Sequence, residues 1–335
     1  MTAQIHYCKE IDRTIRRVRS GTGFRFVKEK EKTVSDENTN RIKSLSIPPA
    51  WRDVVISPDS LDYIQAMGTD ARGRRQYIYH PDWVKKNQEH KFDQMVSFGE
   101  KLPELRRAVS SHMRERKLTE ERVLATVVWL LEHTFIRVGN TKYAEEDHSY
   151  GLTTMLERHV KVHGNKMTFS FKGKSGVYHE LGIANPRVAK TVRECIDLPG
   201  FELFQYLDKN NQRRSINSEE INKYLKTYTG ADFSAKEFRT WGGSVLAGDS
   251  FYRQGTAKDA NDFKKKVTDV VTTVSEHLGN TKSVCRKYYI HPVIISSYEK
   301  DILVPHFKRS YGRKSTVRLG LSLEEYATWS LIKDS

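Results

Sequence analysis

Five side chains that lie far apart in the sequence have the chemistry needed to cleave a phosphodiester. Four are cations, Arg137 in FIRVGN, Lys174 in FKGKSG, and Lys236 with Arg239 in AKEFRTWGGS, and the fifth is Tyr289 in CRKYYIHP. A guanidinium group stays charged and fits two phosphate oxygens, and an ammonium group can protonate a leaving oxygen. A phenol is protonated at neutral pH, so it attacks phosphorus readily only where cations stabilise the phenolate. The set therefore predicts phosphoryl transfer to a tyrosine.

Each of these residues also has an ordinary structural interpretation. The chain has 16 tyrosines, and Tyr288 is an immediate rival of Tyr289. Arginines commonly form ion pairs or face solvent, and Lys174 in a Gly-Lys-Ser-Gly turn could be a solvated lysine. Two settings favour a site: Arg137 follows a long apolar segment, and Arg239 lies in a segment too apolar for a solvated face. The residues alone leave both interpretations open.

The overall composition favours a folded protein that binds nucleic acid. The chain has 335 residues, 37% of them hydrophobic, so it can bury the core of one large domain or two ordinary ones. Lysine and arginine number 57 against 42 aspartates and glutamates, which gives a formal net charge of +15. Cations that neutralise phosphates release counterions, so such an excess favours a polyanionic partner. A ribosomal-type or merely basic protein would have the same composition.

Several other classes of protein are not indicated. Cys8, Cys195 and Cys285 form no CxxC pair, which argues against a zinc site or a disulfide framework and fits a reducing cytosol. No apolar run approaches the roughly 20 residues of a membrane span, and MTAQIHYCKE lacks the apolar segment of a secretory signal. The Gly173–Ser175 sequence ends like a P-loop, but Thr168 stands where that motif needs glycine. We expect a cytoplasmic protein that is not secreted and has no nucleotide site.

The first part of the chain has the composition of a β-rich region. GFRFV (Gly23–Val27) and RDVVISP (Arg52–Pro58) are rich in β-branched and aromatic residues, which predicts strands. In Tyr63–Pro81, apolar and aromatic residues flank the polar segment Asp70–Gly73, which predicts a hairpin with its turn there.

After Trp83 the pattern becomes helical, and a domain boundary is expected near residue 88. The segment His159–Leu181 alternates with period two around His163–Asn165, which predicts a further hairpin. Helices are predicted at Phe92–Val109, at Thr119–Phe135, from Ser218, after a capping box at Ser234–Glu237, at Asn261–Leu278, and from near Thr281 through Tyr289.

In this order the motifs resemble the active site of the type IB DNA topoisomerases, in their poxviral and bacterial form. Leu-Gly-x-Thr (Leu278–Thr281) is followed at a fixed step by Ser-x-x-(Arg/Lys)-(Arg/Lys)-x-Tyr, which selects Tyr289 over Tyr288. The resemblance spans nearly the whole chain. It implies an α+β fold, with a small β-rich domain (1–88) that clamps DNA. A larger, mostly helical catalytic domain (89–335) with a small β-hairpin sheet would follow, and the two would form a C shape around the duplex.

The resemblance also implies a role for each member of the set. Tyr289 would attack a backbone phosphate, form a 3′-phosphotyrosyl bond and release a 5′ hydroxyl. Arg137 and Arg239 would hold the phosphate and stabilise the charge of its transition state. Lys174 would protonate the leaving oxygen. Lys236, three residues before Arg239 and on the same side of a helix, would assist that proton delivery.

One position departs from the commonest family pattern. Many viral and eukaryotic members have a histidine in Leu-Gly-His-Thr that contacts a non-bridging oxygen, whereas this chain has Asn280, as bacterial members often do. Asparagine still donates a neutral hydrogen bond, so Asn280 is expected to keep part of that role. His277 and His291 do not align with the motif, and we interpret both as ordinary polar residues.

The N-terminal hairpin matches the family segment that approaches the duplex. Gln76, Tyr77 and Tyr79 in GRRQYIYH are the matching residues, and Arg72 and Arg75 add charge directed at phosphates. The alternative is a basic hairpin whose aromatic residues belong to the core.

The activity implied is relaxation of supercoiled DNA by transient cleavage of one strand, rotation and religation, without ATP, metal ion or cofactor. The expected partner is double-stranded DNA, bound by a monomer associated with the bacterial nucleoid, with no membrane involved. A tyrosine recombinase is the nearest alternative, but recombinases typically have His-x-x-Arg where this chain has Lys236-x-x-Arg239. A non-catalytic DNA- or RNA-binding protein would use the same basic residues and would tolerate loss of Tyr289.

Overall fold

The computed structural model describes residues 5–7, 15–28, 34–312 and 320–335, and it has the expected α+β architecture. The chain divides into two compact units, Met1–Lys91 and Phe92–Ser335. The sequence pattern predicted the boundary near residue 88, and the two units meet in sequence at Lys91 and Phe92. Both positions lie within one long helix, Pro81–His112. Its first turns, PDWVKKNQEH, are mostly polar, so periodicity indicated a helix only from Phe92 onward.

Within the described part of the N-terminal unit, five antiparallel strands form a sheet in the order β2-β1-β3-β4-β5. The strands predicted at GFRFV and RDVVISP and the predicted hairpin are confirmed. Neither β1, in which three of six residues are arginines, nor helix α1, with one buried residue, has a pattern that would predict it. The bounds are β1 (Ile15–Ser20), β2 (Gly23–Lys28), α1 (Asp36–Ser44), β3 (Arg52–Ile56), β4 (Ile64–Thr69) and β5 (Arg75–Tyr79).

Asp70 organises the turn of the β4–β5 hairpin. Its Oδ1 accepts hydrogen bonds from the backbone N–H groups of Arg72, at 2.9 Å, and of Arg74, at 3.0 Å. A further hydrogen bond from the Arg74 guanidinium group is the main reason that the pKa of Asp70 is lowered to about 2. Gly73 has φ 77°, a left-handed conformation that glycine adopts without steric cost. The turn residues therefore fix the hairpin that was predicted from them.

The second unit is mainly helical and is built around one large hydrophobic core. Aromatic side chains such as Phe98, Phe238 and Phe307 are fully buried in this core. The helices from residue 81 onward are α2 (Pro81–His112), α3 (Glu120–Thr134), α4 (Thr141–Asp147), α5 (Pro186–Ile196), α6 (Ser218–Thr229), α7 (Lys236–Gln254), α8 (Ala260–Leu278), α9 (Lys282–Tyr288), α10 (Pro292–Glu299), α11 (Leu303–Tyr311) and α12 (Leu323–Lys333).

Two predicted helix ends that position the site are confirmed. Thr119 caps α3, because its side chain accepts a hydrogen bond from the Arg122 N–H at 3.2 Å. Gly279 ends α8 in the left-handed conformation, with φ 56°. These signals are local, so the sequence alone is enough to locate them.

Two other helix starts differ slightly from the prediction. Helix α6 begins at Ser218 as expected, but its cap is Asn217, which forms a capping box with Glu220. Before α7, only half of the predicted capping box forms: the Glu237 carboxylate accepts from the Ser234 N–H at 2.9 Å. The helix itself begins at Lys236, so Arg239 lies in its first turn.

A three-stranded antiparallel sheet, β6 (Val160–His163), β7 (Lys166–Lys172) and β8 (Tyr178–Ala184), contains the predicted hairpin. Its first turn is Gly164-Asn165, with Gly164 at φ 55°. The buried residues of β7 alternate along the strand and face the core. A two-stranded ribbon, β9 (Gln205–Leu207) and β10 (Arg213–Ser215), lies between α5 and α6 in sequence.

Over the described ranges, no helix is both long and apolar enough to cross a lipid bilayer. Cys195 and Cys285 are buried free thiols, whereas Cys8 lies outside the described residues.

Candidate active site

Arg137 follows the end of α3 through a backbone turn that few residues adopt. The helix ends at Thr134, and Phe135 caps it in the left-handed conformation, with φ 53°. The Leu152 N–H then donates to the Arg137 carbonyl oxygen at 2.9 Å, which fixes the backbone at the arginine. A positive φ at a bulky residue costs about 1–3 kcal/mol, and such strain is concentrated at functional sites.

Arg239 connects the ends of two helices. Its side chain is buried, with 5% exposed, and it extends from the first turn of α7. The guanidinium group donates to the carbonyl oxygen of Phe135 and, at 2.7 Å, to that of Leu278. Arg239 therefore holds the end of α3 against the end of α8.

Asn280 and Tyr289 stand just before and just after α9. Gly279 ends α8, Asn280 follows it, and Thr281 caps α9 by accepting from the Val284 N–H at 3.3 Å. Tyr289 was predicted within this helix, but it is the residue that follows the last helical one. Its N–H still donates to the carbonyl oxygen of Cys285, so α9 sets the position of its backbone.

Four of the six predicted catalytic side chains meet at this point. Arg137 donates a hydrogen bond to the Asn280 Oδ1. The guanidinium carbon of Arg239 lies 5.1 Å from the centroid of the Tyr289 ring. Tyr289 also interacts electrostatically with both guanidinium groups. We refer to Arg137 and Arg239 as the arginine pair.

The arginine pair, in which Arg239 is buried and Arg137 half-buried, has no compensating carboxylate among the described residues. Burial, and then the charge of Arg239, lower the pKa of Arg137, and burial also lowers the pKa of Arg239. Both remain charged at neutral pH, because an arginine titrates far above it. Within the described ranges, neither forms an ion pair with aspartate or glutamate, and their acceptors are neutral oxygens. The Nε of Arg239 and the Nδ2 of Asn280 are also buried without a hydrogen-bond partner. This concentration of cations and unused donors favours an anion.

Helix α7 holds the backbone of Tyr289 as well as its ring. The Ser244 hydroxyl donates to the Tyr289 carbonyl oxygen at 3.2 Å and accepts from the His291 N–H at 2.9 Å. A Cβ on Gly243 would lie 2.7 Å from the same carbonyl oxygen, so the close approach requires glycine. Sequence reasoning missed Gly243 and Ser244. The run of small residues after Trp241 is the signal that could have indicated this close packing.

The other two predicted catalytic residues, Lys174 and Lys236, have exposed side chains. Lys174 lies between β7 and β8 in the segment Gly173–Val177, which we call the Lys174 turn, and Lys236 is the first residue of α7. Neither lysine side chain forms a hydrogen bond or ion pair with the four clustered residues, within the part of the chain that the structure describes. Their roles stay predictions.

A small pocket adjoins the arginine pair, and Arg137 and Arg239 both line this pocket. His277 also lines it, with its Nδ1 paired with the Thr273 carbonyl oxygen at 3.0 Å. His179 lines the pocket as well, although sequence reasoning did not select it. His291 instead caps α10 by accepting from the Val293 N–H at 3.2 Å, and burial lowers its pKa to about 4.

Three of the residues predicted to contact DNA from the N-terminal hairpin are exposed. Arg72 lies in the turn, and Arg75 and Tyr77 lie on β5, with 39% of Tyr77 exposed. Residues 75 and 77 of a strand face the same side of its sheet, so these two side chains share one face. They are available to a nucleic acid.

Gln76 and Tyr79 are instead engaged within the N-terminal unit. The Gln76 side-chain amide donates to the Asp70 Oδ2 at 2.9 Å. The Tyr79 ring stacks on Trp83 with 4.5 Å between centroids, and burial raises the pKa of its hydroxyl. Contact of either side chain with DNA stays a prediction.

In the described ranges one group of side chains has donor atoms near enough to hold a metal ion, His6, Asp59 and Asp62 in the N-terminal unit. The group already satisfies itself, because His6 Nδ1 and Asp59 Oδ2 are 2.9 Å apart and Asp62 accepts from the Ser57 hydroxyl at 2.5 Å. None of these residues belongs to the cluster around Tyr289.

Comparison with known proteins is consistent with this arrangement. Residues 80–309 match a family model described as the catalytic core of eukaryotic DNA topoisomerase I. Residues 23–70 match the N-terminal domain of bacterial DNA topoisomerase IB.

Several viral and fungal relatives are similar over much of the chain. DNA topoisomerase 1B of Acanthamoeba polyphaga mimivirus is 29% identical over 301 residues, which are 88% of this chain and 90% of that protein. DNA topoisomerase 1B of vaccinia virus is 22% identical over 78% of this chain and 83% of its own length. DNA topoisomerase 1 of Mycosarcoma maydis is 24% identical over 59% of this chain and 22% of its own length. Because the catalytic-core model covers well over half of the chain, the protein belongs to the DNA topoisomerase I family, in its type IB form.

Proposed function

We propose that this protein relaxes supercoiled DNA by cutting one strand through Tyr289 and then resealing it. The observation that carries the proposal is the arginine pair, in which Arg239 is buried and Arg137 half-buried, and which has no carboxylate partner in the described ranges and lies beside a tyrosine. Family membership supports a change of DNA topology as the outcome. Contacts around Tyr289 support the roles given to Arg137, Arg239 and Asn280. The roles of Lys174 and Lys236 follow from the resemblance of their motifs to those of the family.

A backbone phosphate is the anion that best fits the arginine pair. Two guanidinium groups can each donate to non-bridging oxygens, whose charge increases in the transition state. Arg239 is held by two carbonyl oxygens and Arg137 by Asn280, so both cations are fixed in advance. A cation fixed in this way is typically worth a factor of about 10²–10³ in rate. Asn280 adds a neutral donor through its Nδ2.

In cleavage, the Tyr289 hydroxyl loses its proton to solvent and its oxygen forms a bond to phosphorus. The bond between phosphorus and the 5′ oxygen breaks, and Lys174 gives a proton to that oxygen, so that a hydroxyl leaves. Lys236 assists the proton transfer. The phosphate remains on the 3′ end of the strand, joined to Tyr289.

Religation reverses these steps. The 5′ hydroxyl gives a proton to Lys174 and attacks phosphorus, and the tyrosine oxygen leaves and regains a proton. One phosphoester replaces another in each direction, so no ATP is consumed. The cationic side chains supply the charge stabilisation that a metal ion would otherwise provide.

We further propose that the protein acts as a monomer on double-stranded DNA, without a bound nucleotide, in the bacterial nucleoid. The match to a bacterial N-terminal domain supports a bacterial origin. Residues 1–88 would serve mainly to hold the duplex and residues 89–335 to carry the chemistry, with Arg72, Arg75, Gln76, Tyr77 and Tyr79 as DNA contacts.

The first test is relaxation of a negatively supercoiled plasmid by purified protein in EDTA without ATP. We expect complete relaxation, with topoisomers distributed around the relaxed form on an agarose gel. Strict dependence on magnesium or on ATP would exclude the proposed mechanism.

The second test replaces the nucleophile. Tyr289→Phe should bind a duplex with unchanged affinity, yet form no covalent protein–DNA adduct on a denaturing gel and relax no plasmid. Tyr288→Phe is the matched control, because it removes a hydroxyl one residue away and should keep activity within a few-fold. Relaxation by the Tyr289→Phe protein would remove this tyrosine from the site.

A further inference from the structure

His179 is a half-buried residue of β8 whose ring is enclosed on several sides. Its imidazole stacks on the ring of Phe171, with 5.1 Å between centroids and 17° between planes. It also lines the pocket that adjoins the arginine pair. The ring makes no hydrogen bond to any described residue, so it is held by packing.

Two glycines make room for this ring. A Cβ on Gly173 would lie 2.7 Å from the His179 Cδ2 and 2.8 Å from its Nε2. A Cβ on Gly279 would overlap the Cε1 of the same ring and lie 3.0 Å from its Nε2. The imidazole is therefore in direct contact with the backbone at both glycines.

These two glycines belong to different functional segments. Gly173 begins the Lys174 turn, and Gly279 ends α8 and directly precedes Asn280. One side chain thus joins the segment that carries Lys174 to the segment that positions Asn280.

The Lys174 turn needs such a support. The side chains of Lys174, Ser175 and Val177 are exposed, and Ser175 has φ 64°. The turn is closed by a hydrogen bond from the Gly173 N–H to the Val177 carbonyl oxygen at 2.7 Å. That bond fixes its internal shape, but not its position relative to the end of α8.

We propose that His179 is a positioning residue for cleavage, an inference that rests on the proposed function. Its ring keeps the Lys174 turn against the end of α8, so that the Lys174 ammonium group meets the 5′ oxygen of a phosphate held by the arginine pair. It acts through Lys174 and does not itself touch the reacting atoms.

The electrostatics of His179 agree with a role in packing. Burial first, and then the charges of Arg137 and Arg239, lower the pKa of the imidazole. The ring therefore stays neutral at physiological pH and adds no positive charge beside the arginine pair. A flat, uncharged ring is what these contacts require.

The test measures single-turnover cleavage of two duplex substrates by full-length protein. One substrate has the normal 5′ oxygen at the cleavage site, and the other has sulfur there, a leaving group that needs little protonation. His179→Ala should slow cleavage of the normal substrate by about 10- to 100-fold, as misplaced catalytic groups do. The sulfur substrate should restore its rate to within a few-fold of the original protein. His179→Phe, which keeps a flat ring, should cleave both substrates nearly normally.

Lys174→Ala and Arg137→Ala are the references in the same assay. Sulfur should rescue Lys174→Ala and should not rescue Arg137→Ala, whose defect lies in holding the phosphate. If sulfur fails to rescue Lys174→Ala, the proposed general acid is wrong, whatever His179 does. If it rescues Lys174→Ala but not His179→Ala, the inference about His179 is wrong and the proposed function stands.

A slow His179→Phe protein whose melting temperature is unchanged would overturn the packing role. Melting temperature and duplex affinity are measured for every variant, so that loss of fold is recognised. Should His179→Ala fail to fold, His179→Gln provides the same comparison between oxygen and sulfur substrates.

Discussion

At the scale of single residues, the side chain of Asn280 orients Arg137 without neutralising its charge. A carboxylate at this position would orient Arg137 equally well, but it would also cancel the positive charge that a phosphate requires. The Asn280 amide oxygen accepts the hydrogen bond from Arg137 without adding a negative charge. The arginine is thereby fixed while its charge stays available.

We therefore expect Asn280→Asp to be much more harmful than Asn280→Ala. The new carboxylate would form an ion pair with Arg137 and neutralise one member of the arginine pair, which should reduce the cleavage rate by about 10²–10³. Loss of the amide in Asn280→Ala should cost about tenfold, the effect of one neutral hydrogen bond. Single-turnover cleavage of a duplex is the measurement.

The change from asparagine to aspartate keeps the shape of the side chain, so a difference between the two variants reports charge. Equal rates for Asn280→Asp and Asn280→Ala would contradict the electrostatic explanation. Unchanged melting temperatures would confirm that both variants remain folded.

At the scale of secondary-structure elements, helix α7 positions most of the site. It carries Lys236 and Arg239 in its first turn, and one turn later Gly243 and Ser244 contact the backbone of Tyr289. Cation and proposed nucleophile are thus fixed by the same rigid helix. A small change in the packing of this helix should alter their separation.

Gly243→Ala tests that dependence. The added methyl group would meet the Tyr289 carbonyl oxygen at 2.7 Å, so Tyr289 must move by several tenths of an ångström. We expect cleavage at least about tenfold slower, because catalysis is sensitive to such displacements, with duplex affinity unchanged. Gly182→Ala in β8 is the control, because a Cβ there meets no atom within 4 Å. Similar rates for the two variants would show that the close approach at Gly243 is not needed.

The start of α10 makes stability depend on pH through His291. Burial lowers its pKa to about 4, against the weaker opposite effect of Asp93, whereas an unfolded histidine titrates near 6.5. Between these values the unfolded chain binds a proton that the folded chain does not. The stability that neutral, buried His291 contributes should therefore be fully present above about pH 6.5. The free energy of unfolding should decrease as the pH falls from there toward 4.

His291→Asn keeps a capping side chain at the start of α10 but removes the titration. In the original protein, this histidine should lower the free energy of unfolding by about 2 kcal/mol between pH 7.5 and pH 5. Over the same pH range, the free energy of unfolding of the variant should therefore fall by about 2 kcal/mol less than that of the original protein. Urea denaturation at both pH values measures the difference. Parallel pH profiles for the two proteins would show that His291 does not titrate as expected.

At the scale of the whole molecule, the elements that were predicted from the sequence are ones with local signals. The β4–β5 hairpin was predicted because Asp70 and Gly73 determine its turn, and the end of α8 because Gly279 marks it. The first turns of α2 and all of α1 were missed, because neither presents an apolar stripe. Periodicity detects only the part of a helix that is buried on one face.

The same limit applies to the site. Arg137, Arg239 and Tyr289 were selected because their motifs, in this order, resemble the active site of the type IB topoisomerases. His179 and Ser244 were not, since each acts by contacting backbone from a distant part of the chain. Such contacts depend on tertiary packing, which leaves no local pattern in the sequence.

The net charge of +15 predicts that duplex binding depends strongly on salt. Each neutralised phosphate adds about 0.9 to the slope of log affinity against log salt. If Arg72 and Arg75 each contact one phosphate, the double replacement by glutamine should lower that slope by about 2. The rate at which bound DNA is cleaved should stay unchanged.

Replacement of Lys101 and Lys333 by glutamine is the control for that experiment, since it removes the same charge. These lysines pair with Glu104 at 3.3 Å and with Glu100 at 2.9 Å. The control should leave the slope nearly unchanged. An equal decrease in both double variants would indicate a general effect of charge in place of phosphate contacts by the hairpin.

The arginine pair has a practical consequence for anyone who handles this protein. Two fixed cations without a carboxylate do not distinguish a DNA phosphate from a small tetrahedral oxyanion in the buffer. Sulfate or inorganic phosphate should therefore act as a competitive inhibitor, beyond the general effect of ionic strength. Chloride buffers of matched ionic strength are the medium in which the intrinsic rate can be compared between variants, and a crystal grown from sulfate should carry that ion between Arg137 and Arg239.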